Sequence, residues 1–264
     1  MQKKSRREAK REAMDRRAIE KAAGSLIDAR RTGRLIDALP ADCSPASADD
    51  AHAIQTAVVA ALGDSVGGWK VAAPIDGKLV RGAILRSRIF NSPARVKAAD
   101  MGMLGVEAEI AFQVDRALGP RARDYSRDEV AGSVTAFAAI EIVDSRFKSY
   151  KDASLLDRSA DFVSNGGFVR GALRPDWRNF DLAKIEVTLA IGGREIARKS
   201  GGHPTGDPLL PLLALANDLR SGGGIPLGAV VTTGTYTGLN FAKPGQTVAA
   251  SFTGFGAAEV RFEA

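Results

Sequence analysis

The sequence has little sulfur and little imidazole. One cysteine, Cys43, stands in 264 residues, with two histidines, His52 and His203. A single thiol excludes an internal disulfide and any site built from several thiolates. Two separated histidines do not supply the nitrogen ligands that zinc, haem or iron–sulfur centres ask for. No apolar run approaches the 18 or so residues of a membrane helix, and no apolar stretch follows the charged N-terminus as a secretory signal requires. A cytoplasmic, membrane-free protein is the expectation.

The net charge of +6 is unevenly placed. Residues 1–34 hold 12 Lys and Arg against 5 Asp and Glu, whereas the remainder holds 25 against 26. The surplus sits in an N-terminal arm and the body is balanced, so the basic character does not argue for nucleic-acid binding. Residues 1–14 read as a basic, disordered tail.

Residues 15–39 read as an amphipathic helix, with Ile19, Ala22, Ala23, Leu26 and Ile27 on one stripe and Gly33 or Leu39-Pro40 as its stop. Ser47-Ala-Asp-Asp50 starts a second helix near 48–62, carried by Ile54, Val58 and Leu62. His52 lies on it as a surface or partly packed side chain. From Val66 the texture changes to short alternating runs with frequent glycine. Strands are predicted at 66–73, 106–114, 134–143, 185–191, 230–237, 247–252 and 258–262, with a hairpin at Gly192-Gly193 and one further helix at 208–219. The expectation is an α+β protein: a helical N-terminal subdomain over 15–65 and a β-rich domain over 66–264.

Chemistry concentrates in acids on apolar strands. In Val106-Glu-Ala-Glu-Ile-Ala-Phe-Gln-Val114, period two puts Glu107 and Glu109 on one face and the apolar residues on the other. Two carboxylates about 4 Å apart repel by roughly 4 kcal/mol at an effective dielectric near 20. A proton, a basic side chain or a metal ion must offset that. A third acid, Glu141, sits in the apolar run Phe137–Val143 with no base beside it. Acids are seldom buried unless paired or metal-bound. Three such glutamates suggest a hard-cation site, and oxygen ligands without His or Cys favour Mg²⁺ or Mn²⁺. The competing reading has Glu107 and Glu109 lining a solvent face against Lys or Arg, with Glu141 neutralising Arg146.

Several segments then fall into an order: Gly68-Trp-Lys-Val71, Gly105-Val-Glu-Ala-Glu109, Ala139-Ile-Glu-Ile-Val-Asp-Ser-Arg-Phe147, Asp161-Phe-Val-Ser-Asn-Gly-Gly167, Ala214-Leu-Ala-Asn217 and Thr233-Gly-Thr-Tyr-Thr237. Over residues 15–264 this resembles the fumarylacetoacetate hydrolase superfamily, in the branch of 2-keto-4-pentenoate hydratases and 4-oxalocrotonate decarboxylases. The resemblance implies a mixed β roll with a small helical N-terminal part, assembled as dimers or rings of dimers. It implies Mg²⁺ or Mn²⁺ on Glu107, Glu109 and Glu141, and a small 2-oxo acid as substrate, in the breakdown of aromatic compounds. Lys70, matching the family's Gly-x-Lys, is implied as the group that moves protons or holds the substrate carboxylate. Ser164, Asn165 and Thr235 are candidate substrate contacts, and Asp144 is read as structural, holding Arg146.

The match departs in two places. The stretch Lys78–Arg88, where hydratases of this branch carry an acid, has none and holds Arg81, Arg86 and Arg88 instead. Arg81 is taken as a cationic substrate contact that favours a dicarboxylate. The helix at 208–219 lacks the tryptophan usual before Leu-Ala-Asn. A hydratase is the leading expectation. A decarboxylase or an acylpyruvate hydrolase of the same fold is the alternative, the hydrolase ranked lower because neither histidine lies near a motif. A non-enzymatic metal-bearing scaffold is the third.

Overall fold

The computed structural model describes residues 13–75 and 78–264. The tail predicted for residues 1–14 lies, up to residue 12, outside the described residues. Five helices are described: α1 (Arg16–Thr32), α2 (Ala48–Ala61), α3 (Arg127–Ala131), α4 (Leu155–Ala160) and α5 (Leu209–Leu219). The strands are β1 (Val66–Ile75), β2 (Lys78–Leu85), β3 (Ile89–Asn91), β4 (Ala94–Lys97), β5 (Gly105–Val114), β6 (Val134–Val143) and β7 (Asn165–Arg174). They continue with β8 (Glu186–Ile191), β9 (Arg194–Ser200), β10 (Val230–Thr235), β11 (Asn240–Phe241), β12 (Thr247–Phe252) and β13 (Gly256–Glu263).

Two sheets form. The larger runs β2-β1-β10-β5-β6-β7-β3, with β11 added to β5, and the smaller runs β4-β13-β12-β8-β9. β1 pairs parallel to β10, and β5 antiparallel to both β10 and β6, so the larger sheet is mixed. Val106, Ala108, Ile110 and Phe112 of β5 are fully buried in one apolar cluster with Val187, Leu189, Val248, Ala250 and Val260 of the smaller sheet. The apolar face of β5 therefore turns to the second sheet, and the opposite face carries the glutamates.

Local chemistry sets the helix ends. Asp15 caps α1 by accepting from the Ala18 amide, and Gly33, with φ of +70°, closes it. Of the two stops expected for the first helix, Gly33 is the one used: a left-handed residue ends a helix at little cost when it has no Cβ. Ala22, Leu26, Ile54 and Val58 share a second apolar cluster with Ala83, Leu85, Phe147 and Phe162. The helices are thus packed onto β2 and the 147–162 segment. No helix among the described residues is long and apolar enough to cross a membrane.

Gln55 of α2 is the polar rivet in that packing. It is buried, donates to the carbonyls of Arg81 and Ser159, and accepts from the Ala83 amide at 2.9 Å. Replacing it with Leu leaves two carbonyls and an amide without partners. The Gln55→Leu protein is expected to lose about 3 kcal/mol of stability, read as a lower urea midpoint at unchanged m-value.

Strands β2, β3, β4, β7, β9 and β11 were not among the predicted runs. β9, Arg-Glu-Ile-Ala-Arg-Lys-Ser, is an edge strand exposed along nearly its whole length, so it has no apolar alternation to read. β7 opens on Asn165-Gly-Gly167, a turn-like signature. Those glycines serve close packing: a Cβ on Gly166 would stand 2.5 Å from Cβ of Asp144.

Candidate metal centre

β5 and β6 place the three glutamates. Glu107 is directly opposite Glu141 in the antiparallel ladder, and Glu109 lies two residues along β5 on the same face. One oxygen from each comes within 4.8 Å of the other two. Glu109 and Glu141 are 1% and 0% exposed, and Glu107 is half-buried.

β10 anchors Glu109. A register shift between Thr232 and Thr235, with Gly234 at φ +125°, turns two amides inward. Glu109 Oε2 accepts from Thr233 N at 3.1 Å, from Gly234 N at 2.9 Å and from the Thr232 hydroxyl. Burial nevertheless holds the Glu109 carboxyl above the usual range, with Glu107 adding repulsion and those donors working against both.

Glu141 is held by two donors on one oxygen. Its Oε1 accepts from Asn165 Nδ2 at 3.0 Å and lies 3.0 Å from Lys70 Nζ, while Oε2 is buried with no partner. Burial pushes the Glu141 carboxyl up to about 7, opposed by Lys70 and reinforced by Glu109. Glu107 is raised for the same first reason, burial, against the pull of Lys70.

Lys70 enters from β1. Gly68 sets that strand's position: a Cβ there would stand 2.1 Å from the Val230 carbonyl, so only glycine lets β1 pair this closely with β10. In the sheet order β1 and β6 are separated by β10 and β5. Three strand spacings of about 4.8 Å are too far for a lysine to bridge across a flat sheet, so the 3.0 Å contact reports its curl. Burial disfavours the ammonium, but Glu141, Glu107 and Glu109 together override that and hold its pKa above the ordinary lysine value. Lys70 is not on an edge strand, because β1 has β2 on one side and β10 on the other.

The other predicted residues divide. Asn165 is in the centre. Thr235 is the ladder partner of Glu109, hence on the same face, and its Oγ1 accepts from the amides of Thr237 and Gly238. Ser164 precedes Asn165, and its hydroxyl is buried without a partner. It closes a run of three non-glycine residues with positive φ, Phe162, Val163 and Ser164 at 55°, 53° and 59°. Such backbone is costly and persists only where the surroundings over-determine it.

Arg81 must be corrected. It pairs with Val71, one residue past Lys70, so it projects from the opposite face of the sheet, and its Nε meets Asp218 of α5 at 2.9 Å. Asp144 and Arg146 do pair, at 3.1 Å, and Arg146 also binds Asp161 at 2.5 Å, so Glu141 is not its counter-ion. His203 stands near no motif in the sequence. It is buried, with Nε2 3.0 Å from the Thr233 carbonyl and its ring 5.3 Å from that of Tyr236. Burial pushes it down to about 4, so it is neutral and buttresses the turn that grips Glu109. The contact spans 30 residues, and no local pattern announces it.

The donor set fits a divalent ion. Three oxygens converge, the three carboxyl groups share one ammonium, that of Lys70, and Glu141 Oε2 is a sealed acceptor with nothing to accept.

A curled mixed sheet backed by a second sheet, with this acidic triad on its inner face, defines a β-roll class. No protein-family model matches the chain. It is similar to a 2-keto-4-pentenoate hydratase of Burkholderia vietnamiensis, 30% identical over 94% of this chain and 98% of that one. A counterpart of the same name from Paraburkholderia phymatum is 29% identical over the same shares. A solved structure of 4-oxalocrotonate decarboxylase from Pseudomonas putida G7, complexed with magnesium and adipate, superposes with a TM-score of 0.84 at 21% identity, over 96% of this chain and all of that one. The chain belongs to the fumarylacetoacetate hydrolase superfamily, in its 2-keto-4-pentenoate hydratase branch.

Proposed function

We propose that the protein is a divalent-metal-dependent lyase that hydrates an unsaturated 2-oxo acid of the 2-hydroxypenta-2,4-dienoate type. The observation that carries this is the convergence of Glu107, Glu109 and Glu141 oxygens within 4.8 Å, with Lys70 Nζ 3.0 Å from Glu141. The names of the relatives supply the substrate class.

Glu107, Glu109 and Glu141 would hold Mg²⁺ or Mn²⁺. When bound, the ion supplies Lewis-acid polarisation of the substrate's oxygens and offsets the carboxylate charge. The chain's own residues do the rest. Asn165 and the Thr233–Gly234 amides fix two carboxylates so that they need not reorganise. Lys70 Nζ is the proton-carrying group in contact with the centre. It attracts a substrate carboxylate while charged, and it can pass a proton to or from the substrate carbon as the dienol becomes the unsaturated ketone. Water then adds across the conjugated double bond, its proton and hydroxyl both ending on product. The hydroxyls of Ser164 and Thr235 are offered to the substrate.

A second reading, decarboxylation, is favoured by one feature: no Asp or Glu lies within 78–88 to assist hydration. The test incubates the full-length protein with 2-hydroxypenta-2,4-dienoate and with 4-oxalocrotonate, each with Mg²⁺ or with EDTA. Metal-dependent loss of dienol absorbance without CO₂ is the expected result. CO₂ release assigns the decarboxylase, and no turnover of either compound overturns the reading.

Metal affinity should depend on pH in a defined direction. The Glu141 pKa is raised from 4.5 to about 7 in the folded state, so the stability this group contributes is complete below about 4.5 and lost as pH rises through 7. The ion must displace that proton. Apparent Mn²⁺ affinity is therefore expected to fall by at least about tenfold per unit below pH 7, the Glu107 and Glu109 carboxyls being raised as well, with titrations in buffers of different ionisation enthalpy counting the protons released.

A further inference from the structure

Behind the segment that presents Asn165 lies a second polar cavity. It has a volume of about 650 Å³ and opens between the C-terminal end of α1, the Ser87-Arg88 turn and the 144–146 segment. Neither Lys70 nor any of the three glutamates lines it. Four arginines line it, Arg30, Arg31, Arg88 and Arg146, against three acids, Asp64, Asp100 and Asp144. Arg146 is spent on Asp144 and Asp161. Asp144 also accepts from the amides of Gly102 and Met103, and Asp64 from those of Ser65 and Ser87 and from the Ser87 hydroxyl.

Arg31 is exposed, which leaves Arg30 and Arg88, with Asp100 the lining acid whose charge acts most on Arg88. Neither has a carboxylate within ion-pair distance among the described residues. Arg30 lies over the Phe162 ring at 5.5 Å, but its Nη2 is sealed from solvent with no hydrogen-bond partner. Burial pushes the Arg30 guanidinium down to about 9, with Arg146 and Arg88 adding repulsion and Asp161 and Asp144 opposing it. Arg88 gives its Nε to the Gly166 carbonyl at 3.0 Å. A buried guanidinium group with an unmade hydrogen bond is an unfavourable arrangement in isolation. The rest of the Arg30 side chain is partly exposed and lines the cleft, where charge-assisted bonds from arginine to carboxylate or phosphate oxygens are strong.

We propose that this cleft binds a small anion bearing carboxylate- or phosphate-type oxygens, gripped by Arg30 and Arg88, at a site separate from the glutamate centre. The site is wired to that centre through backbone. Arg88 holds the Gly166 carbonyl and Arg146 the Asn165 carbonyl, at 3.4 Å, while the Asn165 side chain holds Glu141. An anion that draws Arg88 away from Gly166 acts on the residue that positions Glu141.

Sulfate is the probe, titrated into the full-length protein against chloride at equal ionic strength, with melting temperature and calorimetry as readouts. Wild type should show a saturable rise in melting temperature. Arg30→Met should melt higher than wild type without sulfate, because an unmatched buried charge is gone, and should not respond to sulfate. Arg88→Met should bind sulfate at least about tenfold more weakly, having lost a charge-assisted contact. Glu109→Gln should bind it like wild type. The proposal is overturned if both arginine variants titrate like wild type, or if Glu109→Gln abolishes the response and so places the anion at the glutamates. It is also overturned if the arginine variants change the subunit number while the sulfate response persists, which makes the cleft a subunit contact. Should Arg30→Met fail to fold, Arg88→Met decides.

Discussion

Glu109→Gln is expected to weaken Mn²⁺ binding by more than about 100-fold and to abolish metal-dependent turnover, with the circular dichroism spectrum intact. Glu109 Oε2 is already committed to Thr232, Thr233 and Gly234. A glutamine keeps its carbonyl in that cradle, since the amides demand an acceptor, and thereby turns its NH₂ group toward the other carboxylates. A donor then stands where a ligand oxygen is needed, and one negative charge is gone. The same change relieves like-charge crowding, so in EDTA the variant should melt higher than wild type. The two opposite shifts, higher melting without metal and lost affinity with it, separate a ligand from a residue that merely supports the fold. Unchanged Mn²⁺ affinity would refute the assignment.

Lys70→Met is expected to lower kcat by about 10² to 10⁴, the usual range for losing a positioned acid or base. It should also leave the metal-free protein much less stable. Three carboxylates converge there, and among the described residues the only ion pair any of them makes is that of Glu141 with Lys70. Added Mn²⁺ should therefore raise the melting temperature of the variant more than that of wild type. Lys70→Arg separates two roles: arginine keeps the charge but does not release a proton in proteins. An active Lys70→Arg enzyme means that Lys70 holds a carboxylate; an inactive one with normal Mn²⁺ affinity means that it moves a proton. Full activity in Lys70→Met removes the residue from the mechanism.

The glutamates were legible in the sequence because strand periodicity is local: two residues of spacing on β5 put Glu107 and Glu109 on one face wherever the strand lies. Glu141 followed from its apolar run alone. What resisted reading was parity between strands. Lys70 and Arg81 both interrupt apolar stretches, but the ladder that pairs Arg81 with Val71 sends it to the far face, and no feature of the sequence sets that register. His203 was missed for a related reason, its partner being 30 residues away on β10. The fold showed the same limit. Strands with one buried face, such as β8 and β12, alternate visibly. The polar edge strand β9 does not, and β7 was masked by glycines that serve packing.

The way the glutamates are tethered has a bearing on ion choice. Glu109 has Oε2, and Glu141 has Oε1, already occupied by protein donors. Each can then extend a single oxygen to a guest. If a divalent ion binds as proposed, two ligands each offering one oxygen would suit a six-coordinate magnesium that keeps several waters better than calcium, which gathers six to eight oxygens and often takes both from one carboxylate. Any preference between the two ions would then rest on tethers already in place before an ion arrives.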